Sequence, residues 1–282
     1  MTDTRGSAIG AAGASNVCVV SGNNFYGVFD ERGVEDVIDN TIVGLGPDGT
    51  NVAPNGMDGI RLAGTTGVVV RGSVISGNSD WGISMTDGAG QNRVDGCFIG
   101  LDRSGLAGWG NDLGGVRISG GYNNVLGDIA TNYIARNGFG GSGAGLQLDT
   151  GARFNGVVQT VFGLDVTGAA AGNLLGIWIL NSPNNAVGDN FPGMQNTICA
   201  SFDDGIYVSG TGSVNNTLAY NYIGITPGGV SRPNSGDGIF IDGAPGNWIG
   251  DRTWPNSICG NLGVGIRVSG AGAAGNRILG NG

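Results

Sequence analysis

Short apolar runs that alternate apolar with polar or small positions recur along the whole chain. The clearest are GIRL (59–62), GISM (82–85), GVRI (115–118), GLQL (145–148), GIYV (205–208), GIFI (238–241) and GIRV (265–268), and in each the second and fourth residues are apolar. A period of two is the strand signature. Gly, Asn, Asp and Ser separate the runs and supply the backbone angles that turns need. No window keeps a helical period with caps.

The runs are evenly spaced. A Gly followed by a branched apolar residue falls at Gly27-Val28, Gly59-Ile60, Gly82-Ile83, Gly115-Val116, Gly145-Leu146, Gly176-Ile177, Gly205-Ile206, Gly238-Ile239 and Gly265-Ile266. A second row, Asn92, Asn124, Asn155, Asn185, Asn216, Asn247 and Asn276, has the same spacing. Two rows with one period of about 30 residues mark a solenoid. QNRVDGCFIG (91–100) also resembles NNTLAYNYIG (215–224), and the stretch 184–201 resembles 246–261, so the larger unit is about two coils.

The pattern therefore predicts an all-β protein: a single-stranded, right-handed parallel β-helix of about nine coils, each with three short strands. Ile60, Ile83, Val116, Leu146, Ile177, Ile206, Ile239 and Ile266 should form one inward column, and the recurring Asn should bond its equivalent in the next coil. Residues 1–8 read as an N-terminal tail and 9–282 as one β-helix domain. Neither end carries an amphipathic capping helix: the stretch 8–23 already matches the second half of a coil, and NRILGNG (276–282) stops within one. The spaced N-x-I/V-x-G-N and D-G-I elements resemble the right-handed parallel β-helix superfamily, which includes pectate-lyase-like proteins, and the Gly-rich tandem repeats of bacterial secreted and surface proteins. That resemblance implies a secreted or cell-surface protein engaged in polysaccharide processing, adhesion or spike architecture.

Composition narrows the chemistry. Of 282 residues 60 are Gly and none is His, the basic residues are all Arg, and the net charge is −9. Without His or Lys there is no Ser-His-Asp or Cys-His catalysis, no Schiff-base lysine and no phosphate-loop lysine. The negative charge excludes a nucleic-acid partner. No apolar stretch is long enough to span a membrane, and Met1–Gly13 does not read as a signal peptide. Cys199 and Cys259 occupy equivalent positions two coils apart, too far for a disulfide, so the four Cys are expected to be free and largely buried. GFGGSG (138–143) and GAGAAG (270–275) match a dinucleotide Gly pattern but open no helix.

Three features remain as candidate sites. The outward position after each inward Ile column residue gives a stripe, with Trp178, Tyr207 and Phe240 on consecutive coils, Arg117 and Gln147 on one side and Arg267 on the other. Aromatic faces can stack on sugars or anchor a protein, and an Arg can pair with an acidic group. The ordinary alternative is a ladder that stabilises the sheet. Asp58, Asp204 and Asp237 precede the Gly of a strand, with Asp203 beside Asp204. Asp204 and Asp237 stand on neighbouring coils, close enough to share a proton as acid and base or to bind calcium, although Asp before Gly is also a common turn residue. The long turns 101–114 and 225–238, with Asp102, Trp109 and Asp112, are where solenoids add function.

The lack of His and Lys favours a non-catalytic solenoid of a surface protein, with no metal or resident cofactor beyond the calcium just named, that binds a polysaccharide or a protein partner along the stripe. The alternative is a polysaccharide lyase or glycoside hydrolase using Asp204, Asp237 and an Arg. In a lyase, Arg would serve as base only with a strongly lowered pKa, which a −9 chain disfavours. A third reading is a spike or filament module that self-associates end to end or laterally.

Overall fold

The computed structural model describes residues 1–11, 13, 17–141, 143–188 and 193–282. Parts of the stretches 8–23 and 184–201, and Ser142 of GFGGSG, lie outside the described residues. Every strand pairs in parallel with its equivalent one coil away, which builds three sheets of ten, nine and nine strands around one core. The architecture is the predicted parallel β-helix of about nine coils of about 30 residues. Among the described residues there is no helix, and so none long and apolar enough to cross a membrane.

The sheet that carries the candidate stripe starts at Val28–Glu31 and ends at Ile266–Ser269. Its registers place Val28, Ile60, Ile83, Val116, Leu146, Ile177, Ile206, Ile239 and Ile266 on successive rungs of one column. From Ile60 to Ile239 these side chains have no solvent exposure. Burying each stabilises the fold by about 1.5–3 kcal/mol. A second inward column, two residues on, runs Asp30, Leu62, Met85, Ile118, Leu148, Ile179, Val208 and Ile241; only its first member is polar.

The recurring Gly has a steric cause. A Cβ at Gly176 would stand 2.3 Å from the Gly205 carbonyl oxygen, and one at Gly205 would stand 2.7 Å from that of Gly238 and 2.8 Å from the Asn234 side chain. Backbones of adjacent coils pass too closely there for any side chain.

Asn ladders form at three corners rather than the one expected. The predicted row from Asn92 to Asn276 links each amide Nδ2 to the next Oδ1 at 3.0–3.3 Å. A second row joins Asn55, Asn78, Asn111, Asn137 and Asn173 at 2.8–3.1 Å, passes Ser201, and resumes from Asn234 to Asn261. A third joins Asn196, Asn221, Asn256 and Asn281.

Two expectations are corrected. Residues 1–8 are not a separate tail: Thr2 bridges Glu31, Arg5 bridges Val34, and Ala8–Ile9 pairs with Val37–Asp39, so this stretch is a rung of the ladder. The four thiols are free, but only Cys97 and Cys199 are buried, and burial pushes both up to about 12. Cys18 is half-buried on one edge strand of its sheet, and Cys259 is exposed next to Ser257–Ile258, the strand at the other edge.

Candidate functional site

Trp178, Tyr207, Phe240 and Arg267 stand in register on adjacent strands, with Arg117 and Gln147 on the two preceding rungs. The rings lie nearly parallel: Trp178 and Tyr207 at 5.9 Å and 23°, Tyr207 and Phe240 at 5.2 Å and 26°. The Arg267 guanidinium covers the far face of Phe240 at 5.2 Å. Trp178 Nε1 donates to Ser209 Oγ at 2.9 Å, and the Tyr207 hydroxyl donates to Asp242 Oδ2 at 3.3 Å. Tyr207 has a ring against each face and Phe240 lies between Tyr207 and Arg267, so these two present ring edges, not the open faces that sugar stacking calls for. The registers on consecutive rungs cause this, because parallel strands bring like side chains within stacking distance.

The Arg and Gln members are also engaged. Arg117 binds Asp149 through Nε at 2.7 Å and Nη2 at 3.3 Å, and Gln147 Nε2 donates to the same carboxylate at 2.7 Å. Burial raises the Asp149 carboxyl, but the donors around it, Arg117 first, hold it below its ordinary value. Arg117 and Gln147 therefore brace a buried carboxylate, and Arg267 is likewise bound to Asp237.

Beside the last part of the stripe lies a groove of about 480 Å³ lined by Asp203, Asp204, Tyr207, Asp237, Phe240 and Arg267, with Leu175 at its edge. The two predicted carboxylates meet here. Asp204 Oδ1 accepts the Asp237 backbone N–H at 2.6 Å. Asp237 Oδ1 accepts the Val264 N–H at 2.7 Å and Arg267 Nη2 at 3.0 Å, while its Oδ2 receives Arg267 Nε at 2.7 Å. The bidentate ion pair commits Asp237, so the proton-sharing Asp204–Asp237 dyad is not what forms. Asp204 is left with one oxygen that no donor holds among the described residues. It is 8% exposed. Burial pushes its carboxyl up to about 6, and the charges of Asp203 and Asp237 add to the rise. Burial and the Asp242 charge raise the Tyr207 phenol.

Asp58 is the same position several coils away. Its Oδ1 accepts the Trp81 N–H at 3.1 Å, and the Ser84 hydroxyl bonds its Oδ2. All three Asp thus cap the backbone of the following coil. Asp102 serves its turn by accepting Ser104 N–H at 3.0 Å, and Trp109 Nε1 donates to the Thr50 carbonyl at 3.2 Å. Among the described residues no three His, Cys, Asp or Glu side chains come together as metal ligands. Sequence reasoning missed Leu175, Asp242 and Ser235 in and around the groove; the register of Leu175 with the Asp204 column was the available signal.

No protein-family model and no curated protein matches the chain. Three solved chains share the fold, among them an epimerase module and a lyase. The Azotobacter vinelandii mannuronan C-5 epimerase AlgE6 A-module superposes with a TM-score of 0.59 at 12% identity, over 89% of this chain and 61% of that one. The alginate lyase from Paenibacillus sp. str. FPU-7 gives a TM-score of 0.54 at 19% identity, over 94% and 86%. The chain spans about three-fifths of the epimerase module's length.

Proposed function

We propose that the chain is a polysaccharide-active enzyme working in the groove beside Tyr207, Phe240 and Arg267, with Asp204 as its proton donor. The observation that carries this reading is the Asp204 carboxyl: buried, raised to about 6, with one oxygen unengaged, next to a carboxylate fixed by Arg267. A buried carboxyl whose surroundings raise it toward neutrality is suited to the role of general acid. A carboxyl of this acidity protonates a glycosidic oxygen as the bond breaks, which both hydrolysis and elimination require. That two structural neighbours are a mannuronan C-5 epimerase module and an alginate lyase supports the enzymatic reading over the non-catalytic one, and a polysaccharide substrate would put the site of action outside the cell. Asp203, Asp204 and Asp237 face one guanidinium, so uncharged or cationic sugars fit without a counter-ion, whereas a polyanion needs divalent cations in the groove.

A panel of neutral, amino and acidic polysaccharides, each with and without calcium, tests this. New reducing ends mark hydrolysis; reducing ends together with ultraviolet absorbance of an unsaturated sugar mark elimination. Activity should fall as pH rises through about 6 and vanish in Asp204→Asn, while Asp58→Asn stays active. The matching Asp58 bond supports a second reading, a non-catalytic solenoid in which Asp before Gly only caps the next coil. Wild type that releases no sugar ends from any member of the panel would decide for that second reading, and an Asp204→Asn variant as active as an active wild type would remove Asp204 as the proton donor.

A further inference from the structure

The opposite end of the solenoid holds an unusual pair of carboxylates. Asp30 lies in an inward column that is otherwise apolar, in register with Leu62. It has no solvent exposure, and neither of its carboxylate oxygens finds a hydrogen-bond donor among the described residues. Asp36, equally buried, accepts the Ser7 backbone N–H at 2.6 Å through Oδ1 and the Thr4 hydroxyl through Oδ2. The two side chains converge over Gly33. A Cβ built there would stand 2.2 and 2.6 Å from the Asp30 oxygens and 2.5 Å from Asp36 Oδ2, so only Gly lets the two carboxylates close on the backbone here, and three carboxylate oxygens crowd around one point.

Two buried carboxylates facing each other with no ion-pair partner in contact among the described residues are strongly disfavoured, and the fold must supply either a proton or a cation. A proton shared between Asp30 and Asp36 satisfies one Asp30 oxygen and leaves the other bare. A cation in front of all three oxygens satisfies both. We propose that Asp30 and Asp36, with the Thr4 hydroxyl beside them, bind a divalent hard cation, calcium being the best match to an all-oxygen set of carboxylate and hydroxyl donors. The cation would clamp the first coil, which supplies Thr4 and Ser7, onto the second, which supplies Asp30 and Asp36. The site is remote from the groove and independent of the proposed activity.

The test uses the full chain stripped with a chelator. Calcium binding is measured by titration calorimetry, and melting temperature with calcium and with chelator, at neutral pH. Wild type should bind one calcium per chain and melt several degrees higher when loaded. Asp30→Leu, which continues the Leu62 column, should bind none, ignore the chelator, and melt no lower than the stripped wild type. Asp204→Asn should bind as wild type does, which separates this site from the groove. The proposal is overturned if stripped wild type takes up no calcium, or if Asp30→Leu keeps full stoichiometry. It is equally overturned if wild-type melting temperature falls as pH rises through about 6 to the same extent with and without calcium. That last result would assign the pair to a shared proton, because burial, and then the Asp36 charge, push the Asp30 carboxyl up to about 6 against the opposing Met1 amino group.

Discussion

Removing a single ladder amide at mid-solenoid should cost far more than removing the same amide at the last rung. Asn124 is fully buried. Its Oδ1 accepts both the backbone N–H and the Nδ2 of Asn92 at 3.0 Å, and its own Nδ2 donates to Asn155 Oδ1 and the Ala89 carbonyl at 3.0 Å. In Asn124→Ala the backbone N–H still reaches Asn155 and Ala89 keeps its bond from Tyr122, but Asn92 loses the acceptor for two buried donors. At about 1–3 kcal/mol for each buried donor left unpaired, the loss is about 2–6 kcal/mol. At the far end, Asn276→Ala removes the acceptor of Asn247 N–H and Nδ2, yet that Nδ2 keeps the Ser213 and Pro245 carbonyls and the half-buried position admits water. The cost there is about 1 kcal/mol. Urea unfolding followed by circular dichroism measures both, with amide hydrogen exchange to show whether loss spreads beyond neighbouring coils, as nearest-neighbour coupling in a solenoid predicts. Equal losses in the two variants, or a loss below about 1 kcal/mol for Asn124→Ala, would refute the view that the ladder is a buried, fully satisfied network.

Other substitutions probe the same logic. Ser201 interrupts the second ladder, and its buried hydroxyl has no partner among the described residues; Ser201→Asn should join Asn173 to Asn234 and raise stability by about 1–2 kcal/mol in urea. Trp178→Ala should lower stability by about 1–2 kcal/mol, the value of one face-to-face ring contact and part of its buried area, while leaving saccharide binding in the groove within a few-fold, as read by calorimetry. Arg267→Ala strips a buried carboxylate of its partner and should destabilise by about 1–3 kcal/mol, less than a fully buried pair because Arg267 is half exposed. The raised carboxyls of Asp30 and Asp204 favour the protonated form in the folded state, so in the absence of divalent cations stability should be fullest below the ordinary carboxylate value and fall as pH rises through about 6. Asp149 and Asp165, held low, act in the opposite sense and lose their contribution as pH falls. A melting profile against pH should therefore be flatter on its upper limb in Asp204→Asn.

What the sequence made legible is what every coil must repeat. An inward Ile or Leu has an apolar neighbour above and below, and a Gly whose Cβ would strike the next backbone cannot change, so both rows survive as spacing. The second and third Asn ladders were less visible, because turns of varying length separate Asn55, Asn78 and Asn111, and because Ser201 breaks the series. The Asp30–Asp36 pair was invisible for a related reason: Asp30 takes the fourth position of its run, where the other coils carry an apolar residue, and a carboxylate there reads as the end of the strand until the register with Leu62 shows that it points inward. The stripe was read correctly as a column, but alternation along a strand says nothing about whether neighbouring rings offer their faces to solvent or to each other.

Repetition also supplies the control that a single site lacks. The position preceding the strand Gly is Trp81, Gly114, Ala144 and Leu175 on successive coils, then Asp204 and Asp237. Asp58 shows that Asp at this position is justified by a backbone bond alone, so capping cannot by itself argue for catalysis. What separates Asp204 from Asp58 is its surroundings. The Oδ2 of Asp58 is occupied by Ser84, whereas that of Asp204 is not, and only Asp204 has Asp203 beside it and the Asp237–Arg267 pair on the next rung. The broken ladder at Ser201 falls on that same coil. Local rules that hold elsewhere in the solenoid therefore lapse together at one place, the pattern expected where function is built onto a repeating scaffold. Asp58→Asn and Asp204→Asn remove the same carboxylate oxygen from the same position. A difference between them in proton transfer reads out the groove, and a shared loss of stability reads out the cap.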